Sequence, residues 1–202
     1  VASPEGTPEQ REQARELGQR LRALRRMRGM TLVQLAEKAE LSHSFLSQIE
    51  RGRAMPSIGS LGRIAHAVGT SQIELLTPPS APTRSNVVPT AAAPRGTYGD
   101  EAARLLVTHA GARFRPLSLT GFSQEFGEPY SHAEHEFLHV ISGRVEVEID
   151  GEVSVLDEGD SVYYGSDVPH RWRAADDQGF HAIVVKEQPA ASRTAPSAQE
   201  AP

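Results

Sequence analysis

The sequence predicts a two-domain α+β chain, with an N-terminal all-α unit of five helices, a linker, and a C-terminal all-β unit built as a small jelly-roll barrel. Three observations predict it. Apolar residues recur with a period near 3.6 up to about residue 76, and with a period of 2 between about residues 100 and 187. Between them, "TPPSAPTRSNVVPTAAAPRG" (77–96) holds five prolines and little periodicity. The charge also divides: residues 11–76 carry 11 Lys or Arg against 6 Asp or Glu, a net of +5, whereas residues 100–187 carry 7 against 17, a net of -10. A basic half suits a polyanion and an acidic half does not. The expected boundaries are 9–76 for the helical domain, 77–98 for the linker, 99–187 for the barrel and 188–202 for a disordered tail.

The helices read in order. "EQREQARELGQRLRALRRMRGM" places Leu17, Leu21 and Leu24 at helical spacing and is ended by Gly29. Thr31 stands as N-cap to "LVQLAEKAE", whose stripe is Leu32, Leu35, Ala36 and Ala39. "LSHSFLSQIERG" is a third helix, capped by Ser42 and stopped at Gly52. "MPSIGSLGRIAHAVGTS" supplies a fourth and "SQIELL" a short fifth. The short connections imply a compact bundle.

The second half reads as strands. "RLLVTHA", "FRPLSLTGF", "EFLHVISG", "RVEVEID", "EVSVLDEG", "SVYYG", "HRWRA" and "HAIVVKE" are short alternating runs. "EVEIDGEVSV" is a hairpin signal, because Asp150-Gly151 is a pair that the type I′ turn prefers. Short strands at this density build a small barrel.

Composition excludes several chemistries. The chain has no cysteine, so disulfides, thiolate-bound zinc and a thiol nucleophile are ruled out. No apolar run approaches the roughly 20 residues of a membrane helix, and "VASPEGTPEQ" has no basic start or apolar core of a secretory signal. A cytoplasmic protein without membrane partners is expected.

The second and third helices are joined by a tight turn near Glu40-Leu41, the helix-turn-helix layout in which the second helix of the pair enters the major groove of double-stranded DNA. In that helix Leu46 and Ile49 face inward, and His43, Ser44, Ser47 and Gln48 fall opposite. These are small or polar, and Gln48 can pair bidentately with adenine. Arg51 and Arg53 after it, and Arg25, Arg26 and Arg28 at the end of the first helix, are candidate phosphate contacts. Ser42, at the N-terminus of the helix, belongs with the DNA-facing set. The segment "MTLVQLAEKAELSHSFLSQIERGRAMPSIGSLGRIAHAVG" resembles the lambda-repressor and Cro-like (XRE) helix-turn-helix family. That likeness assigns base reading to His43, Ser44, Ser47 and Gln48 and a structural role to Glu50. A helix-turn-helix this small contacts few base pairs, so a homodimer on a two-fold site is expected, meeting through the barrel's outer strands.

"YSHAEHEFLHVISG" (130–143) places His132, His135 and His139 within eight residues, with Glu134 and Glu136 between them. On a regular strand His132, Glu134 and Glu136 share one face, with Leu138 and Val140 continuing it. His170 comes from a later strand. Two histidines and a carboxylate form the facial triad of non-haem Fe(II) sites, and on ligand type Mn, Ni or Zn fits as well. The run from Gly127 to Gly143 and the run from Gly159 to His170 resemble the two motifs of the cupin barrel. The likeness assigns ligand roles to His132, Glu136 and His170; Tyr130 stands where a further histidine is common, and Gly165 where proline is common.

A helix-turn-helix joined to a cupin is similar to two groups. One is a set of bacterial regulators whose cupin is the effector domain. The other is the hydroxypropylphosphonate epoxidases, non-haem iron enzymes with the same domain order. The first implies a sequence-specific DNA-binding regulator that senses a small-molecule effector, with or without a divalent metal. The second implies an Fe(II) oxygenase or epoxidase. A third reading makes the cupin a dimerisation module alone. The small polar residues and arginines around the third helix favour the regulator, because an enzyme using that domain as scaffold has no need of them. A phosphonate pocket also needs cationic or hydroxyl groups, and Arg113, Arg115, Arg144, Arg171 and Arg173 are not assigned to the barrel interior by the pattern. No catalytic residue is assigned.

Overall fold

The computed structural model describes residues 7–77, 87–109 and 112–187. The tail expected over 188–202 lies outside the described residues, as does the central part, 78–86, of the expected linker.

Among the described residues five helices form the first unit: α1 (Pro8–Met27), α2 (Leu32–Lys38), α3 (His43–Glu50), α4 (Ile58–Ala67) and α5 (Gln72–Leu76). Each begins on a hydroxyl cap: Thr7, Thr31, Ser42, Ser57 and Ser71 accept from backbone N–H groups of their first turns. Thr31 and Gln34 form a reciprocal capping box, so the entry to the α2–α3 pair is fixed locally. Loss of such a cap costs about 1 kcal/mol. Leu17, Leu21, Leu35, Leu46, Ile49 and Ile64 close into one core. Gly18 is the point of closest approach of α1 and α3, since a Cβ there would lie 2.3 Å from the Ile49 carbonyl oxygen. Only glycine permits that spacing.

Among the described residues nine strands form the second unit: β1 (Arg95–Tyr98), β2 (Glu101–Leu105), β3 (Phe114–Gly121), β4 (Glu136–Gly143), β5 (Val145–Ile149), β6 (Glu152–Leu156), β7 (Ser161–Tyr164), β8 (His170–Ala174) and β9 (Phe180–Glu187). They make a six-stranded sheet in the order β1-β2-β3-β9-β4-β7 and a three-stranded sheet in the order β6-β5-β8. All pairings are antiparallel. Leu117, Leu138, Val140 and Val184 from the large sheet meet Val147 and Trp172 from the small one in a single core. The β5–β6 hairpin turns at Asp150 (φ 50°) and Gly151 (φ 83°), the two left-handed residues that a type I′ turn requires.

Two boundaries differ from the sequence expectation. β1 lies inside the stretch expected as linker, and β2 begins three residues before "RLLVTHA". The cause is composition: in Arg-Gly-Thr-Tyr only Tyr98 is buried, so no alternation marks the strand. The two units are also docked. Ile73 of α5 belongs to the barrel core, whereas Leu75, two residues on, belongs to the helical core. Ile73 presses on β1 where Gly96 leaves room, a Cβ there being 2.9 Å from the Ile73 Cβ. Among the described residues no helix is long and apolar enough to cross a membrane.

Candidate metal centre and nucleic-acid interface

The three residues expected as metal ligands converge. One ligand atom each from His132, Glu136 and His170 lies within 4.8 Å of the others, and all three side chains are buried. Glu136 opens β4 and His170 opens β8, on opposite sheets, while His132 comes from the loop that leads into β4. The shared-face expectation is therefore corrected for this stretch. Bends at Ala133 and Glu134 break the alternation before the strand begins. His132 and Glu136 still meet, with His132 Nε2 2.9 Å from Glu136 Oε2. Glu134 stays on the Nδ1 side of His132, its Oε2 3.4 Å from that nitrogen, and its carboxylate binds Arg28 of the helical domain.

The hydrogen bonds around the triad set its chemistry. His132 Nδ1 lies 3.2 Å from the Glu134 carbonyl oxygen and His170 Nδ1 lies 2.9 Å from that of Val168. A carbonyl only accepts, so each Nδ1 carries a proton, which leaves each Nε2 as the nitrogen that can offer a lone pair to a metal. Glu136 Oε1 accepts from the Tyr164 hydroxyl at 2.8 Å. What remains is His132 Nε2, His170 Nε2 and Glu136 Oε2, all buried and none with an aligned hydrogen bond. The short His132–Glu136 approach is thus contact without alignment. Each unpartnered buried group costs about 1–3 kcal/mol. A divalent ion placed among the three atoms would satisfy all of them at once. Backbone-anchored imidazoles of this kind are what a metal site uses to aim its ligands. The two-nitrogen, one-oxygen set suits Fe(II), Mn, Ni or Zn and leaves coordination positions open.

Electrostatics agree. Burial pushes the His170 imidazolium down to about 4, so the ring is neutral near pH 7. Burial pushes the Glu136 carboxyl up, the Lys186 ammonium beside it pulls it down, and the net direction is below its ordinary value. A neutral imidazole and an ionised carboxylate are the forms that bind metal.

Two neighbours escaped the sequence reading. Lys186 is 3% exposed, and its Nζ lies 4.0 Å from Glu136 Oε2. Tyr164 holds the other carboxylate oxygen. The signal was present in both strands. Phe180, Ala182, Val184 and Lys186 alternate on one face of β9, and Val162 and Tyr164 on one face of β7, so each polar group falls on the inward side. Tyr130 pairs with His170 through two backbone hydrogen bonds and stacks on it at 6.3 Å. It also lines a cleft of about 700 Å³ between α4 and the barrel, with His66, Arg63, Glu101 and Trp172.

On the helical side Ser42, His43, Ser44 and Gln48 are exposed and Ser47 is half-buried, along α3. Arg51 and Arg53 follow it, both exposed. Of the arginines ending α1 only Arg26 remains on the surface. Arg25 is taken up by Glu50, with bonds of 2.6 and 2.9 Å, and this ties α1 to α3. The expectation for Arg28 is corrected. Its Nε donates to the Val68 carbonyl and its Nη2 to both oxygens of Glu134, so it faces the barrel rather than a phosphate. A buried carboxylate draws a guanidinium more strongly than solvent does.

A helix-turn-helix presented ahead of a jelly-roll barrel with an inward two-histidine, one-carboxylate cluster defines a two-domain regulator-like architecture. Comparison with known proteins agrees. A helix-turn-helix domain family matches residues 16–76 and a cupin domain family matches residues 123–186. The HTH-type transcriptional regulator SutR of Escherichia coli (strain K12) is 27% identical over 180 residues, covering 85% of this chain and 95% of SutR. The uncharacterized HTH-type transcriptional regulator y4dJ of Sinorhizobium fredii is 37% identical over 62 residues, 31% of this chain and 80% of that protein. In fold, a crystal structure of an HTH_3 family transcriptional regulator from Vibrio cholerae matches with a TM-score of 0.53 at 22% identity, covering 89% of this chain and 99% of that one. Hydroxypropylphosphonic acid epoxidase from S. wedmorenis matches with a TM-score of 0.45 at 22% identity, covering 87% and 98%, a likeness too low to weigh in assigning activity. The chain belongs to the helix-turn-helix transcriptional regulators and carries a cupin domain behind the DNA-binding unit.

Proposed function

We propose that the chain is a cytoplasmic, sequence-specific DNA-binding regulator whose cupin domain senses a small-molecule effector through a divalent metal held by His132, Glu136 and His170. The domains run as 9–76 and 99–187 in this reading, with the barrel extended back to include β1. The observation that carries it is the pairing of two features in one chain. α3 offers Ser42, His43, Ser44, Ser47 and Gln48 with Arg51 and Arg53 beside them, and the barrel encloses three converging acceptors. The first reads base edges and phosphates. The second leaves open coordination positions to an effector. Such an effector shifts DNA affinity only by binding the competent and incompetent forms unequally.

A homodimer completes the proposal. Phe114, Phe137, Ile141 and Tyr163 are exposed large apolar residues on the outer face of the six-stranded sheet. Phe114, Phe137 and Tyr163 line one surface hollow; exposed apolar surface of this kind marks an interface, and a second copy meeting it gives the two half-site readers that a two-fold operator needs.

The test has two arms. Selection from a random duplex pool is expected to yield one preferred sequence. Metal analysis of protein purified without a chelating column, for wild type, His132→Ala and His170→Ala, is expected to show metal in wild type alone. No preferred sequence, or equal near-zero metal in all three after reconstitution with Fe(II), Mn(II), Ni(II) and Zn(II), overturns the corresponding half.

The triad also supports a second reading, an Fe(II) oxygenase or epoxidase. Substrate-dependent oxygen consumption over many turnovers by the Fe(II)-loaded protein with candidate phosphonates would place this reading first.

A further inference from the structure

We infer that Lys186 is a resident cation of the metal pocket that competes with the metal for Glu136 and carries the pocket's occupancy to the helical domain. The inference rests on the metal reading above and assigns to a residue of β9 both the affinity of the site and its outlet.

Glu136 is 1% exposed, and a buried carboxylate needs a partner charge. Beside the ligand nitrogen His132 Nε2 at 2.9 Å, the one ammonium near its Oε2 among the described residues is that of Lys186, at 4.0 Å. The ammonium has two other acceptors within reach, the Gly69 carbonyl oxygen at 3.2 Å and the Tyr98 hydroxyl at 3.3 Å, and it lies 5.1 Å from the centre of the Tyr98 ring. A dication bound to Glu136, His132 and His170 takes the carboxylate and repels the ammonium. Lys186 then leans on its remaining partners. The pocket is therefore self-neutralised when empty, and metal binds against that internal competitor. A sensor site benefits, because its affinity falls into a reversible range.

One of the remaining partners belongs to the other domain. Gly69 sits in the turn between α4 and α5 with φ 66°, and a Cβ on it would lie 2.7 Å from the His132 Cβ. The same turn accepts from Arg28 through the Val68 carbonyl. Arg28 ends α1, and α1 holds the recognition helix through Arg25–Glu50 and the close approach at Gly18. Ligand His132 and counter-ion Lys186 thus press on one turn of the DNA-binding unit. A shift of the ammonium toward the Gly69 carbonyl alters a contact that both domains share.

The test uses the full chain. Metal affinity is measured by titration with the ion that wild type retains best among Fe(II), Mn(II), Ni(II) and Zn(II). DNA affinity is measured with and without that ion on duplexes selected by wild type. Lys186→Met keeps the length and removes the charge. It is expected to bind metal at least tenfold tighter and to lose most of the metal-dependent change in DNA affinity. Tyr98→Phe removes one of the acceptors that receive the displaced ammonium, and is expected to weaken metal binding several-fold. Opposite signs separate competition from structural damage, which weakens binding in both variants. Unchanged or weaker metal binding in Lys186→Met, or coupling to DNA that survives the substitution, overturns the inference while leaving the metal site standing. Should Lys186→Met not fold, Tyr98→Phe with metal affinity equal to or above wild type overturns it. Absence of metal binding in wild type itself overturns both the site and the inference.

Discussion

Arg28 and Glu134 join the two domains: Arg28 Nη2 donates to both carboxylate oxygens of Glu134, at 2.5 and 2.7 Å, with only 11% and 8% of the two side chains exposed. This pair differs in kind from Arg144–Asp157, whose side chains are 54% and 64% exposed. An exposed pair contributes at most about 1 kcal/mol, whereas removing one member of a buried pair strands a charge and costs about 3–5 kcal/mol.

Arg28→Ala is therefore expected to destabilise the chain by about 3 kcal/mol in urea unfolding, and to couple with Glu134→Ala in a double-mutant cycle. The salt dependence of DNA binding should stay as in wild type. A flattened salt slope with unchanged stability would return Arg28 to the phosphate-contacting surface.

Gln48→Ala is expected to reduce discrimination between selected and random duplex by about 1–3 kcal/mol. Arg53→Ala should weaken both duplexes alike and lower the slope of log K against log salt by about 0.9. Competition binding at several salt concentrations checks both. Equal loss on the two duplexes for Gln48→Ala would remove it from the base-reading set.

Glu101, lining the cleft, is 8% exposed, and burial pushes its carboxyl from 4.5 up to about 7. The folded form then holds its proton more tightly than the unfolded form. Stability contributed by the neutral acid is complete below about pH 4.5 and is lost as pH rises to about 7. At 1.36 kcal/mol per unit the loss is at most about 3 kcal/mol. Glu101→Gln should be flatter across this window in chemical denaturation. Parallel pH profiles for the two proteins would contradict the assignment.

Phe137→Asp, on the outer face of β4, is expected to raise the dimer dissociation constant at least tenfold, roughly what the loss of one apolar anchor gives. Light scattering reads this directly. A wild type that is monomeric at micromolar concentration, with and without DNA, would remove the interface.

Much of this was legible because the deciding interactions are local. Thr31 and Ser42 cap helices through bonds to residues three places on, and Asp150-Gly151 fixes its turn by backbone preference alone. His132, Glu136 and His170 were legible through motif likeness, and His170 meets the other two only in the folded barrel. Glu134 was misread because alternation was carried through a bend that the sequence does not mark. Arg28 was misread because its partner lies 106 residues away, and no local pattern distinguishes an arginine awaiting a phosphate from one awaiting a carboxylate. β1 escaped because a four-residue strand with one buried side chain has no period to detect.

Ile73 and Leu75 are anchored in different cores although both sit on the same short helix, α5. The practical result concerns where the chain can be cut. A fragment ending near residue 77 keeps α5 but leaves Ile73, now 2% exposed, facing water. A fragment beginning near residue 87 keeps β1 but uncovers the Gly96 hollow that Ile73 filled. Neither half carries a finished surface away from such a division, and calorimetry of the intact chain is expected to register one cooperative melting event rather than two.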